Sequence, residues 1–169
     1  IAGVTTIATN TTIGGNLTVN GTNTILNTTT YVQGGEGAAG ILAIYADQGD
    51  DNADKFRLIS NTDSTLNIDN YAGGSWETNI KAVSNGAVEL YHNNLKTAFT
   101  NVDTWNVYGR TSNSGMIEIA SNQGANNNDR FRIHKTSAAS RLSIQAYSTG
   151  SWVENIRINA GGAVELKHA

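Results

Sequence analysis

The chain has 169 residues, a formal net charge of -3 and a pI near 5.5, with only 15% Asp, Glu, Lys and Arg. No basic run is present that would track a nucleic-acid backbone or an anionic membrane. Cysteine is absent, which excludes disulfides and thiolate metal sites, and proline is absent too. No apolar stretch approaches the roughly 18 residues of a spanning helix, and the first residues, IAGVTTIATN, lack the basic and apolar regions of a signal peptide. Asn and Thr make up roughly a quarter of the chain, a polar composition without the charge of a disordered tail. Because it opens on Ile1 and not Met, the sequence reads as a piece of a longer protein.

Residues 1–33 read as a lead-in of short strands. Leu17 and Val19 share one strand face, Gly14-Gly15 and Asn20-Gly21 are turn pairs, and Thr24-Ile25-Leu26 begins another strand. Such strands are too short and too polar to fold alone, so several chains must lend one another apolar faces. The sequons at Asn10, Asn16, Asn20 and Asn27 follow from the Asn/Thr-rich composition and are not read as glycosylation sites. Residues 34–40, GGEGAAG, contain Gly35-x-Gly37-x-x-Gly40, formally a dinucleotide fingerprint. That fingerprint needs a helix after it, and ILAIYA reads as a strand, so the segment is taken as a flexible joint.

Two modules follow, at 41–94 and 116–169, joined by 95–115. The second rewrites the first at a shift of about 75 residues, with one residue inserted near Ala139. Phe56 matches Phe131, Trp76 matches Trp152, and Val88-Glu89-Leu90 matches Val164-Glu165-Leu166. Apolar positions alternate at Leu42/Ile44, Phe56/Leu58, Leu66/Ile68, Ile80/Ala82 and Val88/Leu90. The second module repeats them at Ile117/Ile119, Phe131/Ile133, Leu142/Ile144, Ile156/Ile158 and Val164/Leu166. Period two predicts five strands per module and no helix. The breaks also recur, at Gln48-Gly49 and Gln123-Gly124, Gly73-Gly74 and Thr149-Gly150, Asn85-Gly86 and Gly161-Gly162. The connector, with Phe99, Val102, Trp105, Val107 and Tyr108, predicts one or two further strands.

Two stretches, GGNLTVNGTNTILNTTTYV and VELYHNNLKTAFT, resemble the repetitive stem of bacteriophage tail fibres, especially those of marine and cyanobacterial phages. The paired NIKAVSNGAVEL and NIRINAGGAVEL are similar to β repeats of phage fibres and trimeric surface adhesins. The resemblance implies an all-β, elongated homotrimeric fibre, with an N-terminal triple-stranded β-helix-like stem followed by two repeated small β modules. It implies a virion structural protein with the other tail proteins and a host-surface glycan or protein as partners, no nucleic acid, no membrane insertion and no cofactor. No C-terminal trimerisation or self-cleaving chaperone domain is recognisable.

Four carboxylates, Asp47, Asp50, Asp51 and Asp54, crowd one loop and could offer oxygen ligands to calcium. Their counterparts are Asn122, Ala125, Asn126 and Asp129, so an Asx-rich turn is the preferred reading. His92 and His168 share strand parity with the apolar pairs and could meet around a threefold axis to hold a metal, although a strand-end hydrogen bond is the commoner use. Trp76 and Trp152, with Tyr71 and Tyr147, could stack on sugar rings, but a large ring repeated in two small modules is read first as core packing. Glu89 and Glu165, and Arg57 and Arg132, occupy repeated, outward positions that suggest scaffold ion pairs. With no nucleophile elbow, no H-E-x-x-H motif and no Cys nucleophile, no enzymatic activity is expected. The expected function is a fibre segment giving reach and host attachment, on a virion or another extracellular surface. The alternatives are a carbohydrate-binding module of a bacterial surface adhesin and a fibre-borne polysaccharide depolymerase.

Overall fold

The computed structural model describes residues 11–20, 29–109, 114–120, 130–136 and 140–167. The chain divides into two units, Ile1–Tyr31 and Val32–Ala169. Within the first unit, residues 11–20 and 29–31 carry no strand. No strand is present at Leu17 and Val19, where one was expected, and both side chains are exposed. Gly21 and the strand expected at 24–26 lie outside the described residues.

The second unit is all-β and antiparallel. One sheet holds seven strands in sequential order: β1 (Gly40–Tyr45), β2 (Lys55–Ser60), β3 (Thr65–Asn70), β4 (Glu77–Val83), β5 (Val88–His92), β6 (Leu95–Thr100) and β7 (Trp105–Val107). The other holds five, also sequential: β8 (Gly115–Ala120), β9 (Arg130–Lys135), β10 (Arg141–Ser148), β11 (Ser151–Asn159) and β12 (Val164–Leu166). All ten strands read from the period-two pattern are present, and the connector supplies β6 and β7. Tight turns make the meander. Asn93-Asn94 and Thr149-Gly150 both have positive φ at two central positions, the backbone that matches the twist of paired strands in a two-residue hairpin.

Cross-strand register lines up the apolar positions into rows. In the larger sheet one row runs Leu42, Leu58, Ile68, Ile80, Leu90, Ala98, Val107, one residue from each strand. In the smaller sheet the equivalent row is Ile117, Ile133, Ile144, Ile156, Leu166. These neighbours pack along the sheet surface, where Ala98 is buried but Leu42, Leu58, Ile68 and Ile80 stay exposed. Among the described residues, Ile59 and Ala98 are the buried hydrophobic ones, whereas Thr65, Asp69, Glu89, Ser143 and Gln145 are buried polar ones. Apart from Ala98 the usual inside-out order is thus reversed, with the polar face closed over and the large side chains of the apolar face open.

The polar face closes because its long side chains pair. Arg57 bonds Asp69, Lys96 bonds Glu89, and Arg157 bonds Glu154. Glu89 faces away from the apolar row as expected, yet is only 9% exposed. Burial pushes its carboxyl pKa up, but hydrogen bonds from Lys96 and Tyr91 and the charges of Lys96 and Lys81 outweigh this and hold it below the usual range. The Tyr91 hydroxyl, buried and donating to Glu89, is pushed up to about 12.

Both modules begin with the same close approach. A Cβ on Gly40 would lie 2.7 Å from the Val32 carbonyl oxygen, and one on Gly115 would lie 3.1 Å from that of Val107. The joint at 34–40 also holds a turn, with Ala38 N donating to Gly35 O. The repeat thus reaches upstream of residue 41, into a backbone approach that a side chain would crowd at Gly115 and clash with at Gly40.

Candidate functional site

The most ordered side-chain chemistry lies on the polar faces and starts from a β-bulge. Between β3 and β4 the register runs Ile68↔Ile80 and then Asp69↔Thr78, leaving Asn79 as the extra residue. Between β10 and β11 it runs Ile144↔Ile156 and then Gln145↔Glu154, leaving Asn155 extra. A bulge exchanges the two faces for every residue beyond it. Trp76, four residues before Ile80, would share its apolar face in a regular strand. The extra residue turns Trp76 to the polar side, and Trp152 likewise. Core packing, the first reading of these rings, is therefore corrected: both are half-buried over arginine.

In the first module the Arg57 guanidinium carbon lies 4.3 Å from the Trp76 ring centre. Its Nε and Nη2 both donate to Asp69 Oδ2 at 2.9 Å, and Thr78 Oγ1 donates to Asp69 Oδ1 at 3.0 Å. Tyr71 meets Trp76 edge-on at 5.2 Å, and Lys55 lies 5.6 Å from the Tyr71 ring centre. In the second module Arg132 is 4.1 Å from the Trp152 ring centre, and Tyr147 meets Trp152 edge-on at 5.1 Å. Arg130 takes the place of Lys55, 5.1 Å from Tyr147 and 5.4 Å from Trp152. Each site stacks cations on aromatic faces, an attraction worth about 0.5–2 kcal/mol per contact.

The modules differ in where the carboxylate sits. Asp69 is replaced by Gln145, whose Oε1 accepts from Arg132 Nε at 2.7 Å. The acidic group moves to the other flanking strand, where Glu118 stands in the place of Ala43. Glu118 pairs with Arg130 at 2.6 Å. Gln145 is further occupied by Ser143 Oγ at 2.9 Å and His134 Nδ1 at 3.2 Å. Burial lowers the pKa of Arg132, opposed by Glu118 and reinforced by Arg130.

The other sequence candidates are placed elsewhere. Asp47, Asp50, Asp51 and Asp54 lie in the loop between β1 and β2, which folds into two 3-10 turns, Asp47–Gly49 and Asn52–Asp54. Among the described residues, no group of three or more His, Asp or Glu side chains is arranged to hold a metal ion. The sister positions Asn122, Ala125, Asn126 and Asp129 lie outside the described residues. His92 ends β5 in step with Val88 and Leu90, since the register shift at Leu90/Tyr91 leaves its extra residue, Thr97, on β6, and it is exposed. His168 lies outside the described residues. Sequence reasoning noticed Arg57 and Arg132 as repeated but did not join them to the tryptophans. The available signal was the Asn79 and Asn155 positions, conserved between copies where the apolar alternation breaks. No protein-family model matches the chain, and no curated protein is similar enough in sequence to count as a relative.

Proposed function

We propose that this chain is a segment of a homotrimeric virion fibre of the phage tail-fibre kind, providing reach and attachment to the host surface. The open apolar face carries this reading. On the larger sheet Leu42, Ile44, Phe56, Leu58, Leu66, Ile68, Ile80 and Val88 are each 36–54% exposed. At roughly 80 Å² apiece they offer about 650 Å², beyond the few hundred Å² that a monomer ordinarily leaves bare and close to the ~800 Å² per partner of a stable interface. The smaller sheet adds Ile117, Ile119, Phe131, Ile133, Ile144, Ile158, Val164 and Leu166, 37–81% exposed. Copies of one chain meet this need by placing the apolar faces together, which leaves the Arg–Trp clusters outward. The lead-in residues would gain their strand partners from neighbouring copies in the same way, as a triple-stranded stem.

In this reading the partners are the same chain, adjoining tail proteins and a glycan or protein on the host. The test is the mass of the purified chain in solution. Three times 17.9 kDa is the expected result; a monomer that unfolds cooperatively overturns the proposal in favour of a free-standing binding module.

A further inference from the structure

We infer that the polar face of the smaller sheet carries an anion-binding site, centred on Arg132, that takes the carboxylate of an acidic saccharide. The inference rests on the outward orientation of this face in the fibre reading and gives the attachment role a ligand class. The internal comparison between the two modules is what carries it. In the first module the Arg57 fork is closed by Asp69, a carboxylate only 3% exposed that also accepts from Thr78. In the second, the acceptor at that place is the neutral amide of Gln145, which engages only Nε of Arg132. Arg132 Nη1 reaches nothing closer among the described residues than Met116 Sδ at 3.9 Å, a poor acceptor. The nearby carboxylate, Glu118, gives its hydrogen bonds to Arg130, Oε1 accepting from Nε at 2.7 Å and pairing with Nη2 at 2.6 Å, and reaches Arg132 only through its charge. Arg132 therefore keeps its charge and the outer part of its fork for a planar oxyanion, the geometry guanidinium recognises best.

The surroundings suit an acid carried on a sugar. Trp152 backs Arg132 and holds the fork in place, so little side-chain freedom is lost on binding. Arg130, stacked against Tyr147 and Trp152, holds Glu118 in an ion pair, so the unneutralised guanidinium of the cluster is that of Arg132. The first module, whose charge is satisfied internally, is the built-in negative control.

The experiment measures binding of polygalacturonate to the intact chain by calorimetry at low ionic strength, with neutral galactan and sodium acetate as parallel probes. Expected are binding of polygalacturonate, none of galactan, and at least tenfold weakening of the acidic polymer on raising salt to physiological strength. Gln145→Asp, which gives Arg132 the internal partner that Arg57 has, is expected to weaken binding at least tenfold while solution mass and melting temperature are retained. Should that variant be unstable, Arg132→Gln reads the same loss, and Asp69→Gln is expected to raise binding by opening the first module. Equal binding of acetate and polymer per carboxylate would remove the saccharide and leave only an oxyanion site, overturning the inference as stated. No binding by the wild type, or binding unchanged in both Gln145→Asp and Arg132→Gln, overturns it entirely. Solution mass on the same sample keeps the two readings separate: a trimer that does not bind loses this site alone, and a monomer that binds loses the fibre assembly alone.

Discussion

Arg132 holds its guanidinium carbon 4.1 Å from the centre of the Trp152 ring. The contact exists because the extra residue at Asn155 turns Trp152 away from the apolar row. Trp152→Leu removes the ring face from Arg132 and Arg130 and the edge contact with Tyr147, and is expected to cost about 2–4 kcal/mol. Trp152→Phe should cost less, since a ring face remains. Urea unfolding followed by circular dichroism checks both, and equal losses would mean that only volume matters.

Asp69 is the most thoroughly enclosed carboxylate of the larger sheet. Asp69→Asn leaves Arg57 stacked on Trp76 with no carboxylate partner, which is expected to cost about 2–3 kcal/mol, below the value for a fully buried pair because Arg57 is partly solvated. Gln145→Asn, at the equivalent place, breaks a neutral hydrogen bond and should cost about 1 kcal/mol. The difference between the two variants in unfolding free energy is the readout; a larger loss at Gln145 would contradict the assigned ion pair.

The two module joints predict a ranked pair. Gly40→Ala sets its methyl 2.7 Å from the Val32 carbonyl oxygen, and Gly115→Ala sets its methyl 3.1 Å from that of Val107. Both destabilise, Gly40→Ala more, by about 1–3 kcal/mol. Gly35→Ala meets nothing within 4 Å and is expected to be neutral or slightly stabilising. Melting temperatures of the three variants give the order directly.

Opposite faces of one strand pair should respond differently to charge. Leu58→Asp places a carboxylate in the middle of the apolar row and, on the proposed assembly, reduces the solution mass to that of a single chain. Ala43→Asp, opposite Arg57 on the other face, should leave the mass unchanged. If both variants behave alike in sedimentation, the apolar row is not the interface.

Acid is expected to loosen the smaller sheet through His134. Burial lowers its pKa, and the charges of Arg132 and Arg141 lower it further against the opposing Glu154. With a folded pKa below the unfolded value of about 6.5, the unfolded state binds the proton more readily. His134 therefore weighs nothing against the fold above that value and destabilises it as pH falls below it. His134→Gln, neutral throughout, should flatten the drop in melting temperature between pH 7 and pH 5.

The fold class and the positions of all ten module strands are legible in the sequence, because alternation of apolar and polar residues is a local property and both copies state it. So are the turns at Asn85-Gly86 and Thr149-Gly150, where Asn85 and Gly150 are residue types that accept positive φ, although the positive φ of the β-branched Thr149 is imposed by the hairpin. The repeated Arg57 and Arg132 are visible as well, but not what they touch. Trp76 and Ile80 stand four apart, and parity places them together; only pairing with β3 leaves Asn79 unmatched and parts them. Lys96 and Phe99 come to one face of β6 for the same reason, an extra residue at Thr97 set by pairing with β5. Burial shows the limit most clearly. Alternation says that Leu58 and Arg57 lie on opposite faces, but which face is covered depends on what lies across the sheet. Here long polar side chains cover Asp69 and Ser143, while Leu42, Leu58 and Ile117 in the apolar rows stay open. Register and covering are relations between distant segments, which is why tertiary structure decided them and the local sequence did not.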